Sequence, residues 1–586
     1  MSAARERKRH GRHYTPPVLA RFLATRLLAH VPPGEVLRVL DPACGDGELL
    51  LALRREAAVR LPDVRLELTG YDLDGTAIEL ARSRAGDEID WHRGDFLAVA
   101  TRLPAAAFDA IITNPPYVRT QQLGGATAQL LSRRYGLTGR IDLTHPFVAV
   151  APRLLASGGV LGLLCANRFL TTRAGSNIRA ILRRDLAPVE LYDLGDTKLF
   201  DAAVLPAVTI ARRAAAPVSC HFASAYQVER PGTTCDLDLF AALIQDSPCL
   251  IEHGGRTFAV EIGTLSTGAG GAEPEVAEPA RTRSGMAVDF AGTDLDSGGG
   301  GGESGAVAGD SGRGWRMSRP GVDAWLAGVQ EGTWKTFGEV GRIRVGIKTT
   351  ADRVFISDRW GQVEPCPEAE LLFELITHHD LAPWRIVRER DTRVLYPYDI
   401  TQARRVPVDL REFPRAAGYL QRHREALAGR KYVIEGGREW FEIWVPQRPH
   451  LWQVPKLVFP DISVRPRFAL DRAGAVVNGD CYWISLADIG AERLAYLLMG
   501  VANSALGLRF YDAVCGNRLY SGRRRWITQY VSRLPVPDPD SRAAAEIIAL
   551  VGEFVDGRAL DPDAQRTLDE RVARAFPSAG DSGRGC

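Results

Sequence analysis

Paired cysteines are missing from this 586-residue chain. Its nine cysteines are scattered singly and no CxxC occurs, which argues against a disulfide framework or a zinc site. No apolar run approaches the roughly 20 residues of a membrane span. The start, MSAARERKRHGRH, is basic but lacks the apolar stretch of a secretory signal. A cytoplasmic protein with no membrane attachment is therefore expected. A charge excess is missing too: the formal net charge is only +2. The whole chain is thus no polybasic nucleic-acid binder, and any such contact must come from local patches. His13, His92 and His145 are isolated, without metal-ligand spacing, so no metal is expected.

What is present is alternation. From about Glu35 to Arg213, short apolar runs alternate with helix-like segments. VLRVL ends at Asp41, VRLELTGY at Asp72, EIDWHRG leads to Asp95, and FDAIIT ends at Asn114. GGVLGLLCA, PVELYDLG and VLPAVTIARR close the series. The pattern predicts an α/β fold with a largely parallel sheet, helices on both faces. Ligands in such sheets bind beyond the carboxyl ends of the strands, where four polar residues collect here. A Gly-, Ala- and Pro-rich stretch then leads into GTDLDSGGGGGESGAVAGDSGRG, which reads as flexible linker. The expected organisation is a catalytic domain over 1–262, a linker over 263–314, a mixed α+β domain over 315–540, and a helical tail over 541–586.

DPACGDG turns the first strand into a helix. Gly45 and Gly47 let the backbone turn tightly and approach a ligand, beside the unpaired N–H groups of a helix start. The GxGxxG dinucleotide fingerprint is absent, which disfavours NAD. Asp72 can accept from both ribose hydroxyls, and Asp95 from an adenine amino group with Phe96 against the ring. Any one of these acids could instead cap the next helix. The series resembles the S-adenosylmethionine site of Rossmann-like methyltransferases, whose first motif Asp41, Pro42, Ala43, Gly45 and Gly47 match. Upstream, GRHYTPPVLARFL resembles the leading segment of the γ-class, TaqI-like adenine-N6 DNA methyltransferases. The resemblance implies that Tyr14, Thr15 and Pro16 lie at the methionine end of the cofactor.

NPPY, Asn114 to Tyr117, then has a chemical reason. The exocyclic amine of adenine is a poor nucleophile because its lone pair is delocalised. Two neutral acceptors, the Asn114 side-chain oxygen and the Pro115 carbonyl, can each take one amine hydrogen and localise that pair. Pro115 and Pro116 stiffen the turn. The remaining work is in-line positioning. A base buried in a duplex must be flipped out, and Tyr117 can stack on it, worth about 1–3 kcal/mol. Phe200, in KLFDAAVLPAVTI, sits where the γ-class has its second pocket ring; it can equally be core packing.

Competing chemistries leave weaker traces. Pro248-Cys249 and Pro365-Cys366 do not follow the fourth strand, as a cytosine carbon-5 nucleophile would. No fused nuclease cluster is found. NPPY also occurs in methyltransferases of protein glutamine amides and RNA bases, but a folded region of more than 200 residues after the catalytic domain favours DNA. There, GNRLYSGRRRWITQYVSRLPVP places Arg518, Arg523, Arg524 and Arg525 among Tyr520 and Trp526, suited to phosphate and base contact or simply a solvated basic loop. The arrangement resembles the TaqI-like specificity domain. The expected function is adenine-N6 methylation of double-stranded DNA as the modification half of a restriction–modification or related defence system. The enzyme is expected to be a monomer, possessing a separately encoded restriction endonuclease as partner. A non-catalytic DNA-binding subunit is the alternative from another class.

Overall fold

The computed structural model describes residues 14–118, 125–139, 141–200, 205–213, 219–228, 232–266, 315–515, 519 and 522–576. The chain forms two compact units, the second beginning at Pro320.

The first unit is built on an 11-stranded sheet. Its elements are α1 (Pro17–Leu28), β1 (Val36–Asp41), α2 (Glu48–Arg60), β2 (Arg65–Asp72), α3 (Gly75–Ala85), β3 (Asp90–Arg93), α4 (Phe96–Val99) and β4 (Phe108–Thr113). There follow α5 (Gly125–Tyr135), α6 (Thr144–Leu154), β5 (Leu155–Ala166), α7 (Ser176–Arg184), β6 (Ala187–Asp193), β7 (Pro206–Arg212) and β8 (His221–Gln227). The last are α8 (Leu239–Leu243), β9 (Cys249–His253), β10 (Arg256–Ser266) and β11 (Arg316–Ser318). The order is β11-β10-β8-β6-β7-β5-β4-β1-β2-β3, with β9 pairing antiparallel to β10 off this path. Strands β5, β4, β1, β2 and β3 run parallel, whereas β7 inserts antiparallel between β5 and β6. The strand order reverses between β1 and β4, which opens the crevice of a doubly wound sheet at their carboxyl ends. Asp41 ends β1 there, and Asn114 follows the neighbouring β4.

Two apolar layers sandwich this sheet. One joins α1 and α2 to the strands through Leu23, Leu27, Leu50 and Val39. The other joins α6 and α7 through Val148, Leu154 and Ile178. Gly162 on β5 lets α1 sit close, since a Cβ there would lie 2.7 Å from Leu27 Cδ1.

The expected boundaries at 262/263 and 314/315 need correction. β10 continues to Ser266, and after residue 314 the chain pairs with it again, Thr264 against Ser318 and Ser266 against Arg316. Trp315 is buried and donates its backbone N–H to Leu170 at 2.7 Å. The strand after the linker thus belongs to the first sheet, where it covers the β10 edge. Residues 267–314, the bulk of the expected linker, lie outside the described residues.

The second unit carries α9 (Pro320–Glu331) and strands β12 (Lys335–Thr336), β13 (Ile343–Val345), β14 (Ile356–Ser357), β15 (Leu372–Ile376) and β16 (Arg393–Leu395). β17 (Lys456–Pro460), β18 (Ile462–Ser463), β19 (Ala469–Asp471), β20 (Val476–Val477), β21 (Cys481–Ser485), β22 (Arg524–Arg525) and β23 (Pro535–Val536) complete the strands. Two four-stranded sheets, β13-β21-β17-β19 and β14-β16-β15-β20, form its centre. Helices α10 (Glu492–Ala502), α11 (Ala505–Cys515), α12 (Arg542–Val555) and α13 (Pro562–Arg574) close one side. Residues 541–576 are no tail: Ile547, Val551, Phe554, Leu568 and Phe576 are buried in the same apolar cluster as Leu498. Gly500 permits the close α10–α12 crossing, since a Cβ would lie 2.5 Å from Ile547 Cγ2.

Candidate functional site

At the end of β1 the chain makes a tight turn through Gly45 (φ +53°) and Gly47 (φ +81°) into α2. Asp72, ending β2, holds that turn: its Oδ2 accepts from Gly45 N–H at 2.8 Å and its Oδ1 from Asp74 N–H at 2.8 Å. The two glycines serve different neighbours. A Cβ on Gly45 would touch the Tyr14 ring at 3.6 Å, so that ring lies across the turn. A Cβ on Gly47 would lie 2.7 Å from Trp91 Cη2. Gly47 therefore makes room for a core tryptophan rather than for a ligand on that side.

Asp41 is fully buried. Its Oδ1 accepts from Ala43 N–H at 3.1 Å, while Oδ2 has no partner among the described residues. Burial, with the nearby Asp72 charge, pushes this carboxyl up to about 8. Such an unsatisfied buried oxygen is costly unless a ligand meets it. Burial likewise raises Asp46 and the Cys44 thiol.

A narrow cavity brings Tyr14, Thr15, Ala43, Gly45 and Asp46 together with Asn114. Asn114 Nδ2 donates to Thr15 Oγ1 at 3.1 Å, and Tyr117 Oη donates to Asn114 Oδ1 at 2.6 Å. The amide is thereby oriented, nitrogen toward the Thr-Pro segment and oxygen toward the tyrosine. Burial raises the Tyr117 phenol well above its usual range, so it stays a donor. Thr144 Oγ1 donates to the Pro116 carbonyl at 3.3 Å, pinning the turn from α6.

Other expected residues lie elsewhere. Asp95 caps α4, its Oδ1 accepting from Leu97 N–H at 3.0 Å. Phe96 is buried, with ring centroids 5.4 Å from Tyr71 and 5.9 Å from Phe147. Its ring is thus packed within the protein. Phe200 packs in the apolar layer that contains Leu23 and Val208. In the second unit, Trp526 corrects its expected DNA role. It is 1% exposed and its ring centroid lies 4.3 Å from that of Tyr511. Arg524 pairs with Asp512 at 2.6 Å and Arg525 with Asp461 at 3.1 Å, so those two charges are already compensated. Arg523 is exposed. Arg518 and Tyr520 lie outside the described residues.

Sequence reasoning missed a part-buried network that ties the C-terminal end of α1 to β6. Glu190 on β6 accepts from Arg26 Nε (2.8 Å), His30 Nε2 (2.8 Å) and Tyr192 Oη (2.9 Å). Burial alone would raise this carboxyl, but the Arg26 and His30 bonds win and lower it to about 2. Arg26 and His30 lie 164 and 160 residues from Glu190, so no local pattern betrays that pairing.

The crevice, the glycine turn held by a strand-end acid, and the neighbouring Asn-Pro-Pro-Tyr corner define a Rossmann-like S-adenosylmethionine-dependent methyltransferase. The Eco57I restriction-modification methylase family matches residues 65–200. The type II methyltransferase M.BanIII of Aneurinibacillus aneurinilyticus is 32% identical over 94% of this chain and 93% of its own length. M.BstVI of Geobacillus stearothermophilus, another type II methyltransferase, is 22% identical over 97% of this chain and 96% of its own. Among solved structures, the type IIL restriction-modification enzyme MmeI in complex with DNA superposes with a TM-score of 0.59 at 13% identity, over 99% of this chain and 76% of that one. At that identity the likeness is one of fold. The chain belongs to the type II methyltransferases of restriction–modification systems. It is an S-adenosylmethionine-dependent DNA methyltransferase.

No described helix is long and apolar enough to cross a membrane. Among the described residues no group of three or more His, Cys, Asp or Glu could hold a metal ion.

Proposed function

We propose that the methyl acceptor is N6 of an adenine flipped out of duplex DNA. The observation that carries this reading is the placement of the Asn114 amide. It sits at the end of β4, bonded to Thr15 and lining one cavity with the glycine turn. S-adenosylmethionine supplies an electrophilic methyl on a sulfonium. Tyr14, Thr15, Asp41, the 43–45 turn and Asp72 would hold it; the unpartnered Asp41 Oδ2 and the glycine backbone suit a cationic ligand with hydrogen-bond donors.

Asn114 is neutral, and an amide oxygen can accept more than one hydrogen bond, so it can serve an incoming amine as well as Tyr117. That oxygen and the Pro115 carbonyl accept one hydrogen bond each from the two amine hydrogens, and the base nitrogen lone pair localises toward the methyl. The stiff Pro115–Pro116 backbone and the Thr144 bond hold these acceptors before the base arrives, so little reorganisation remains. Tyr117 repays part of the unstacking cost by covering the base. The enzyme acts as a monomer and modifies sites that a separate restriction endonuclease would otherwise cut. The test is nucleoside mass spectrometry of DNA methylated by the purified enzyme. N6-methyladenine supports the assignment, while 5-methylcytosine or N4-methylcytosine in its place overturns it.

A further inference from the structure

Arg524 and Arg525 are paired with Asp512 and Asp461, which raises the question of where the second unit keeps uncommitted polar side chains. They collect on another edge. Lys348 and Val445 exchange two backbone hydrogen bonds, both 3.0 Å, which joins the 348–351 loop to the 445–448 loop. Ile347 N–H donates to the Val477 carbonyl at 2.8 Å, and Asn478 N–H to the Ile376 carbonyl at 2.9 Å, which adds the 478–480 and 377–380 loops. Gly479 allows the contact: a Cβ there would lie 3.1 Å from Lys348 Cγ, so the lysine stem runs across it. His378 Nδ1 meets Asp480 Oδ2 at 2.5 Å and fixes the last two loops to each other.

On this edge Lys348, His379 and Arg448 are exposed, and Gln447 and Asn478 are half-buried. The side chains of these five make no hydrogen bond or ion pair among the described residues. Two loop tips are also strained. Thr350 has φ +58° and Gln447 φ +66°, the left-handed region that β-branched and long side chains avoid. Strain of this kind persists where surrounding structure enforces it, and it gathers at ligand clamps.

The combination is informative. A surface that only grips phosphate needs cations alone. Amides beside cations are what base edges require: Arg or Lys toward guanine O6 and N7, Asn or Gln toward adenine N6 and N7. We infer that these four loops form the sequence-reading edge of the enzyme, with Gln447, Arg448 and Asn478 contacting base edges of the target duplex. The inference rests on the DNA substrate proposed above. Arg525, already paired to Asp461, contributes little to sequence choice.

The experiment compares the full-length wild type with Gln447→Ala, Arg448→Gln and, as a control, Arg525→Ala. Each methylates a library of duplexes randomised around the wild-type site, read by modification-sensitive sequencing. Binding of labelled S-adenosylmethionine and thermal unfolding report folding. The expected result is that Gln447→Ala and Arg448→Gln each relax preference at one base pair, by about 5- to 150-fold, while cofactor binding is retained and Arg525→Ala keeps the wild-type site. Unchanged preference in both loop variants would overturn the inference and leave the DNA methyltransferase reading standing. A uniform loss of affinity on every sequence, with a shallower salt dependence, would also overturn it by making the loops phosphate contacts. A wild type that methylates no member of the library would sink the underlying reading and this inference together.

Discussion

Replacing Asp41 with Asn isolates a buried carboxyl of the catalytic unit. The Asp41 carboxyl has no solvent exposure, one backbone donor and an oxygen without a partner. Burial and Asp72 push it to about 8, whereas an unfolded aspartate titrates near 3.9. The folded protein thus holds a proton that the unfolded chain releases. Its contribution to stability is greatest below about pH 4 and declines as pH rises, levelling off above about 8. Each pKa unit is worth about 1.4 kcal/mol, so at pH 7 the penalty is about 4 kcal/mol. Asn keeps the acceptor for Ala43 and cannot ionise. Urea unfolding of both proteins between pH 5 and 8.5 should show a declining wild type and a flatter variant, with the difference widening by several kcal/mol. Cofactor binding adds a second readout. A cation beside Asp41 favours its carboxylate, so binding S-adenosylmethionine to the wild type at pH 7 should release protons, seen calorimetrically in buffers of different ionisation heat. Parallel pH profiles together with no proton release would refute the assignment of a neutral, buried Asp41.

Two further outcomes follow from the same unit. The Glu190 side chain is 7% exposed and its Arg26 partner 23%; Glu190→Ala strands the guanidinium and should cost about 3–5 kcal/mol, measurable by urea unfolding. Because its folded value is lowered to about 2, the wild-type contribution is present above about pH 4.3 and fades as pH falls toward 2, so the variant should lose less on acidification. Gly47→Ala places a methyl group 2.7 Å from Trp91 in a left-handed backbone, and should destabilise by about 2 kcal/mol or more; a melting temperature equal to wild type would show that the ring yields.

Much of the catalytic half is legible in the sequence because its signals are local. Apolar runs ending in Asp41, Asp72 and Asn114 are strands whose last residue meets the crevice, and the turn glycines sit between a strand and a helix. What stays hidden depends on distant partners. Nothing near Arg212 shows that β7 runs antiparallel between β5 and β6, or that Arg316–Ser318 returns to β10 after the linker. Phe96 and Trp526 look like ligand platforms until the packing of Phe147 and Tyr511 is seen. Interleaved arginines read as a nucleic-acid patch because Asp461 lies 64 residues from the arginine it neutralises. Asp95 shows the ambiguity of a strand-end acid most plainly, since its side chain caps a helix.

The central claim is that a neutral amide at the end of β4 activates the acceptor amine, and Asn114→Ala tests it most directly. Single-turnover methylation of cognate duplex should fall about 100- to 1,000-fold, while the dissociation constant for S-adenosylmethionine stays close to wild type. Methylation at the wild-type rate by that variant would contradict the account.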